Sequence, residues 1–170
     1  MKKLFLVLLA LGLAACQRGP DEVFDKVLVD FGLREKPEGY VSGADTVVDR
    51  LQAVGDTEMK RMNQEARHGE IKFQEDGLRG LYYKEVKVYE RCYPLDAQPV
   101  SASSQTDSRG YVGYIEYAYR VYQSPRKSNR AEATAESATI STDEQGRETY
   151  RYNFGPGGVW DGGKGERARK

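Results

Sequence analysis

The chain opens on an unbroken apolar run, Leu4 to Ala15, behind the basic pair Lys2-Lys3, and no later stretch is as uniformly apolar. The run falls short of the ~20 residues a helix needs to cross a bilayer. A basic pair before a short apolar segment reads instead as a secretory leader. After Pro20 and Asp21, which suit a helix start, Val23, Phe24, Val27, Leu28 and Phe31 recur at helical spacing up to Gly32. One face of this segment is apolar, and it either packs on the domain or lies on a membrane surface. Val47, Val48, Leu51 and Val54 define a second amphipathic helix that Asp45 and Thr46 can cap. Met59, Met62 and Ala66 continue it beyond a candidate break at Gly55-Asp56. The cations of Arg67-His68-Gly69 complement the helix dipole, and the glycine can take a left-handed cap.

From Glu70 the period changes to two. Ile71 and Phe73 lead through Asp76-Gly77, a hairpin signal, into a strand over Leu81–Tyr93 that Pro94 ends. Pairing Glu75 with Leu78 sets Ile71 opposite Tyr82 and places both on the side of Val86, Val88 and Cys92. Tyr83, Glu85, Lys87, Tyr89 and Arg91 take the other side. Residues 94–108, rich in Ser, Thr and Pro, read as a surface loop. Tyr111 to Gln123 alternates as a second long strand, long enough to require a bulge or strong curvature near Gly113. Ala131 to Ile140 and Glu148 to Phe154 supply two more, joined by a turn at Asp143 to Gly146.

The expected fold is α+β: N-terminal helices packed on a curved, mainly antiparallel sheet of four to five strands. The order resembles the cystatin-like and NTF2-like layouts, and a small open β-barrel is the alternative. Residues 20–154 form the single domain, and 155–170 read as a glycine-rich, basic, flexible tail in which Trp160 docks on the domain's own sheet or on a partner.

Leu13-Ala14-Ala15-Cys16 resembles the lipobox of bacterial lipoproteins. The resemblance implies that residues 1–15 are a cleaved signal peptide and that Cys16 carries a diacylglyceryl thioether on a short spacer, 16–19. It also implies that the freed amine can be acylated, so that the protein is anchored rather than spanning. By analogy with sorting in enteric bacteria, Gln17 after the lipidated Cys16 is compatible with the periplasmic face of the outer membrane.

Composition narrows the function by exclusion. Basic and acidic side chains balance at 26 each, and loss of Lys2 and Lys3 with the leader leaves a slight acidic excess, so no field steers nucleic acid. Tyr supplies 12 residues, a bias toward half-buried strands and contact surfaces. Gly158, Gly163 and Lys164 match the glycine and lysine spacing of a phosphate loop, but Gly165 stands where Ser or Thr must hold magnesium. There is no G-x-S-x-G elbow. His68 is the only histidine and reads as a cap, and one unlipidated Cys cannot complete a zinc site. Cys92, left without a partner, reads as a small buried hydrophobe on a strand or as the origin of an intermolecular disulfide.

Glu85, Glu90, Glu116 and Glu132 could meet as paired carboxylates for an acid/base hydrolase. The best basic-aromatic patch is Tyr119, Arg120, Tyr122, Arg126, Lys127 and Arg130, which with Trp160 forms the candidate interaction surface. No cofactor or metal is implied. The expected function is a non-enzymatic envelope module contacting a protein or glycan partner, with a small-ligand carrier using a concave sheet face as the alternative.

Overall fold

A computed structural model describes residues 25, 28–30, 33–35, 41–77, 79–100 and 110–169. The leader, Cys16 and the spacer lie outside the described residues, as does most of the first amphipathic segment. Asp25 and residues 28–30 of that segment are helical. Val29 is buried, and the Asp30 carboxylate accepts hydrogen bonds from the Gly43 backbone N–H at 2.7 Å and from the Tyr111 hydroxyl, tying this piece to the domain.

Helix α1 spans Gly43–Ala66. Its cap is Ser42 rather than Asp45 or Thr46: the Ser42 hydroxyl accepts the Asp45 N–H at 3.0 Å and the Asp45 carboxylate accepts the Ser42 N–H at 3.2 Å, a reciprocal capping box. Gly55 does not break the helix. It faces the sheet, where a Cβ would lie 2.9 Å from the Cys92 sulfur, so the glycine is there for close approach. The helix exits through Gly69 at φ 63°, as its sequence anticipates.

Five antiparallel strands follow as a meander: β1 (Glu70–Asp76), β2 (Arg79–Val100), β3 (Gly110–Gln123), β4 (Ile140–Phe154) and β5 (Glu166–Arg167). The sheet curls into a half-barrel with α1 against its concave side, the α+β layout expected from the sequence. The β1–β2 hairpin pairs Glu75 with Gly80 and Phe73 with Tyr82, two residues away from the expected register. A two-residue shift preserves which face each side chain takes.

β2 runs straight through Pro94 to Val100. β1 covers it only as far as Glu85, so among the described residues no strand pairs with the edge beyond and a proline there forfeits no ladder bond. Asn63 of α1 reaches this edge instead: its carboxamide accepts from the Tyr89 N–H and donates to the Tyr89 carbonyl, both at 2.8 Å. The expected bulge lies on β2 rather than at Gly113. Glu90 and Leu95 have no opposite residue on β3. Each extra residue inverts the alternation, so Tyr89, Cys92 and Ala97 all face α1, correcting the assignment of Tyr89 and Cys92 to opposite sides.

Residues 130–135 are not strand. They form helix α2 (Arg130–Ala135), capped by Asn129 whose side-chain oxygen accepts the Ala131 N–H at 2.8 Å, with Ala133 buried. Alternating alanines mimic a strand's period but carry helix propensity. The expected turn at Asp143–Gly146 lies within β4. Gly146 is opposite Tyr119, whose hydroxyl would lie 2.7 Å from a Cβ there.

The tail is corrected as well. Phe154 pairs with Trp160, Arg50 donates to the Gly158 carbonyl, and β5 adds to the edge of β4. The Trp160 ring stands edge-on to Tyr152 at 6.4 Å and packs against the core formed by Val47, Leu51, Val54, Ile115, Tyr117 and Phe154.

At Gly113 a Cβ would come within 2.5 Å of Leu51 and 2.9 Å of Phe154. Gly113→Val is expected to lower stability by roughly 1–3 kcal/mol through overpacking. A melting temperature several degrees below the wild type in a thermal scan checks this, and an unchanged one would show that the helix can lift without loss.

Candidate interaction cleft

The N-terminal half of α1 buries Val47 and Leu51 in the core, and its C-terminal half faces Tyr150 and Tyr152 of β4 across a gap. Between them lies an open cleft of about 420 Å³, walled by Arg61, Met62 and Glu65 of α1, by Tyr89, Tyr150 and Tyr152 of the sheet, and by Lys164 and Gly165 of the C-terminal segment. It shares Glu65 and Lys87 with a second hollow of about 340 Å³ that reaches His68, Glu85 and Glu144.

Two buried carboxylates support the cleft, Glu58 in its lining and Glu148 behind Lys87, Tyr89 and Tyr150. Glu148, 5% exposed, accepts from Lys87 Nζ at 2.9 Å, the Tyr89 hydroxyl at 2.8 Å and the Tyr150 hydroxyl at 3.1 Å, and an Arg167 nitrogen forms an ion pair with it at 3.2 Å. Burial acts to raise its pKa, but the hydrogen bonds from Lys87 and Tyr89 outweigh it and hold the carboxyl below its ordinary value of 4.5. Glu58, 1% exposed, pairs with Arg61 one turn along α1 and accepts the Gly165 N–H at 3.3 Å.

Tyr89 and Tyr152 line the cleft and Tyr117 lies behind Tyr152, all three as neutral phenols. Desolvation first, then the hydroxyl–hydroxyl contact with Tyr152 at 2.8 Å, pushes Tyr117 far above the usual phenol range. Tyr89 is raised by desolvation and its bonds to Tyr150 and Glu148, and Tyr152 by desolvation. Three hydrogen-bond donors and a second cation hold the Glu148 carboxylate in position and in its charged form.

The residues singled out from sequence do not form one patch. Tyr119 faces the concave side, with Lys87 Nζ 4.2 Å above its ring. Arg120 and Tyr122 point to the opposite side and share Glu90, at 3.6 and 2.9 Å. Arg126 bonds Gln74 at 2.9 Å and lies over the Tyr83 ring, Lys127 pairs with Glu136 at 2.7 Å, and Arg130 stands exposed at the start of α2. Neighbouring acids engage Arg120 and Lys127. Trp160 belongs to the core edge, half-buried on Tyr152.

Glu85, Glu90 and Glu116 accept from different partners, Gln123, Tyr122 and Arg147 respectively, and do not pair with one another. Cys92 is half-buried. Its thiol donates to Asp56 at 3.3 Å, and desolvation followed by that bond raises its pKa, keeping it protonated. Among the described residues no group of His, Cys, Asp or Glu is placed to hold a metal ion, and no helix is long and apolar enough to cross a membrane.

Sequence reasoning missed the residues that matter most here, although the signal was present. Glu58 continues the helical phase of Val47, Leu51 and Val54, and Glu148 falls in step with Tyr150 and Tyr152 on the buried side of β4. A charge in phase with a core stripe is a buried charge. The chain matches no known protein family, no curated protein and no solved structure.

Glu148 stabilises the fold fully above pH 4.5, and this contribution falls away as pH drops through the lowered value. Glu148→Gln is expected to cost roughly 1–3 kcal/mol near neutrality. Denaturant titrations at several pH values check this: the gap between variant and wild type narrows in acid, whereas a gap constant into strong acid would show that the carboxylate's charge is irrelevant.

Proposed function

We propose that this protein is a lipid-anchored cell-envelope lipoprotein, held by Cys16 at the periplasmic face of the outer membrane and acting without catalysis as a protein-interaction module. The leader and the Leu13-Ala14-Ala15-Cys16 box support the anchor, since one thioether-linked diacylglycerol with an acylated amine supplies the two or more chains that durable attachment requires. The observation that carries the second half is the cleft: open, walled by tyrosines and charged side chains, with the buried carboxylate of Glu58 at its lining and that of Glu148 held behind Lys87, Tyr89 and Tyr150. Such a surface offers fixed charges and aromatic edges to a partner.

A small-ligand carrier is the second reading, favoured by one observation. A cleft of about 420 Å³ falls in the size range of small-molecule sites. Its charged walls and open side weigh against it, because such sites bury most of the ligand against apolar surface.

Cys16→Ala is expected to move the protein from the membrane fraction to the soluble one and to abolish the mass added by lipid. Unchanged fractionation together with an unmodified mass would defeat the anchor. In-cell crosslinking of the tethered form is expected to trap a defined envelope protein; recovery of the uncrosslinked chain with a bound small molecule would favour the carrier instead.

A further inference from the structure

Lys164 and Gly165, in the segment 161–167, make up one wall of the cleft. Asp161 N–H bonds the Asn153 carbonyl at 3.3 Å, the chain then leaves β4 through Gly162 and Gly163, and it rejoins β4 as β5. Between those points it is held by charge. Lys164 Nζ meets Glu65 at 2.6 Å, Gly165 N–H meets Glu58, Arg167 meets Glu148, and Glu166 accepts from Arg151 Nε at 2.9 Å. No apolar side chain occurs from Asp161 to Arg167.

Lys164–Glu65 and Arg151–Glu166 are exposed pairs, with Lys164 66% and Glu65 54% exposed, and exposed pairs contribute little to stability; only the contacts to Glu58 and Glu148 reach buried carboxylates. Gly162, at φ 77° and with nothing within 4 Å of where a Cβ would be, makes the turn, which the Gly163 N–H closes on the Asp161 carboxylate at 2.7 Å. The groove beneath does not depend on the segment. Without it Glu58 keeps Arg61, and Glu148 keeps Lys87, Tyr89 and Tyr150.

The fit is nevertheless specific. Gly165 lies flat on the Tyr152 ring, so a Cβ there would be 2.5 Å from Cζ, and Tyr152 is 1% exposed and cannot yield. The cation before that glycine reaches Glu65, and the cation two residues after it reaches Glu148. The edge of β4 adds backbone recognition, with the Ala168 N–H on the Thr149 carbonyl at 2.9 Å.

We propose that the groove between the C-terminal half of α1 and the edge of β4 binds an extended Lys-Gly-x-Arg segment of a partner protein, and that residues 164–167 occupy it in cis until displaced. This rests on the interaction-module reading and gives it a site: strand addition at a sheet edge, with two carboxylates setting the spacing of two cations and one ring demanding glycine. The weakly held segment acts as an internal competitor that reduces apparent affinity by the fraction of time it covers the groove.

The probe is a fluorescent peptide of residues 162–169, GGKGERAR, titrated into the full chain and into full chain carrying Lys164→Glu with Gly165→Val, which expels the segment. The released variant is expected to bind the peptide at least ten-fold more tightly than the wild type. Peptides with Val for the glycine, or Glu for the lysine, are expected to bind at least ten-fold more weakly. A variant that melts cooperatively and binds no peptide overturns the proposal.

Should the variant not fold, hydrogen exchange of the wild type decides. Excess peptide is expected to speed exchange of the amides of 165–168 at least ten-fold, and unchanged exchange overturns the proposal. A wild-type dimer that the released variant loses would put a second copy's segment in the groove, overturning the assignment to a different partner. Envelope crosslinks that persist while the peptide fails to bind would move the contact elsewhere on the surface and leave the function reading intact.

Discussion

β2 carries two residues, Glu90 and Leu95, with no opposite number on β3, and that mismatch is the constraint to which the rest of the structure answers. Each surplus residue turns the strand and reverses which side chains point inward, so a strand of this length can curl without losing its pairing. The curl makes a hollow deep enough for α1. It also puts Tyr89, Cys92 and Ala97 on the same side as Ile115 and Tyr117, although their sequence separations do not suggest a shared face. Where helix and sheet approach most closely, Gly55 and Gly113 leave out the side chains that would hold them apart.

A hollow lined by tyrosines brings hydroxyls inside together with their rings, and a buried hydroxyl without a partner destabilises by about 1–3 kcal/mol. The chain meets this by sharing. Tyr117 and Tyr152 satisfy each other, while Tyr89 and Tyr150 converge on Glu148, whose charge Lys87 and Arg167 balance. The same network that satisfies the interior thus leaves the cleft with fixed charges at fixed spacings, so the requirement of folding and the capacity for recognition come from one set of atoms.

Periodicity carried the α+β class, the long helix, its left-handed exit at Gly69 and the β1–β2 hairpin, because each rests on local chemistry that tertiary contacts only reinforce. What escaped it has physical causes. Pro94 ends a strand only where a neighbour needs its N–H, and whether β2 is an edge at that point is a fact of topology. Ala131 to Ala135 alternate small residues at a strand's period while their propensity is helical. Gly55 and Gly146 read as breaks because the side chains that crowd them, Cys92 and Tyr119, are distant in sequence. The basic-aromatic patch dissolved because strand alternation sends Tyr119 and Arg120 to opposite faces, and because acids from other elements meet Arg120 and Lys127.

The carboxamide of Asn63 offers the stretch of β2 at Tyr89 the donor and acceptor that an adjoining strand would have offered. An open strand edge is a template for a second molecule. One asparagine standing where an adjoining strand would pair closes that template at Tyr89, so a second copy of the chain finds neither the donor nor the acceptor of that residue free.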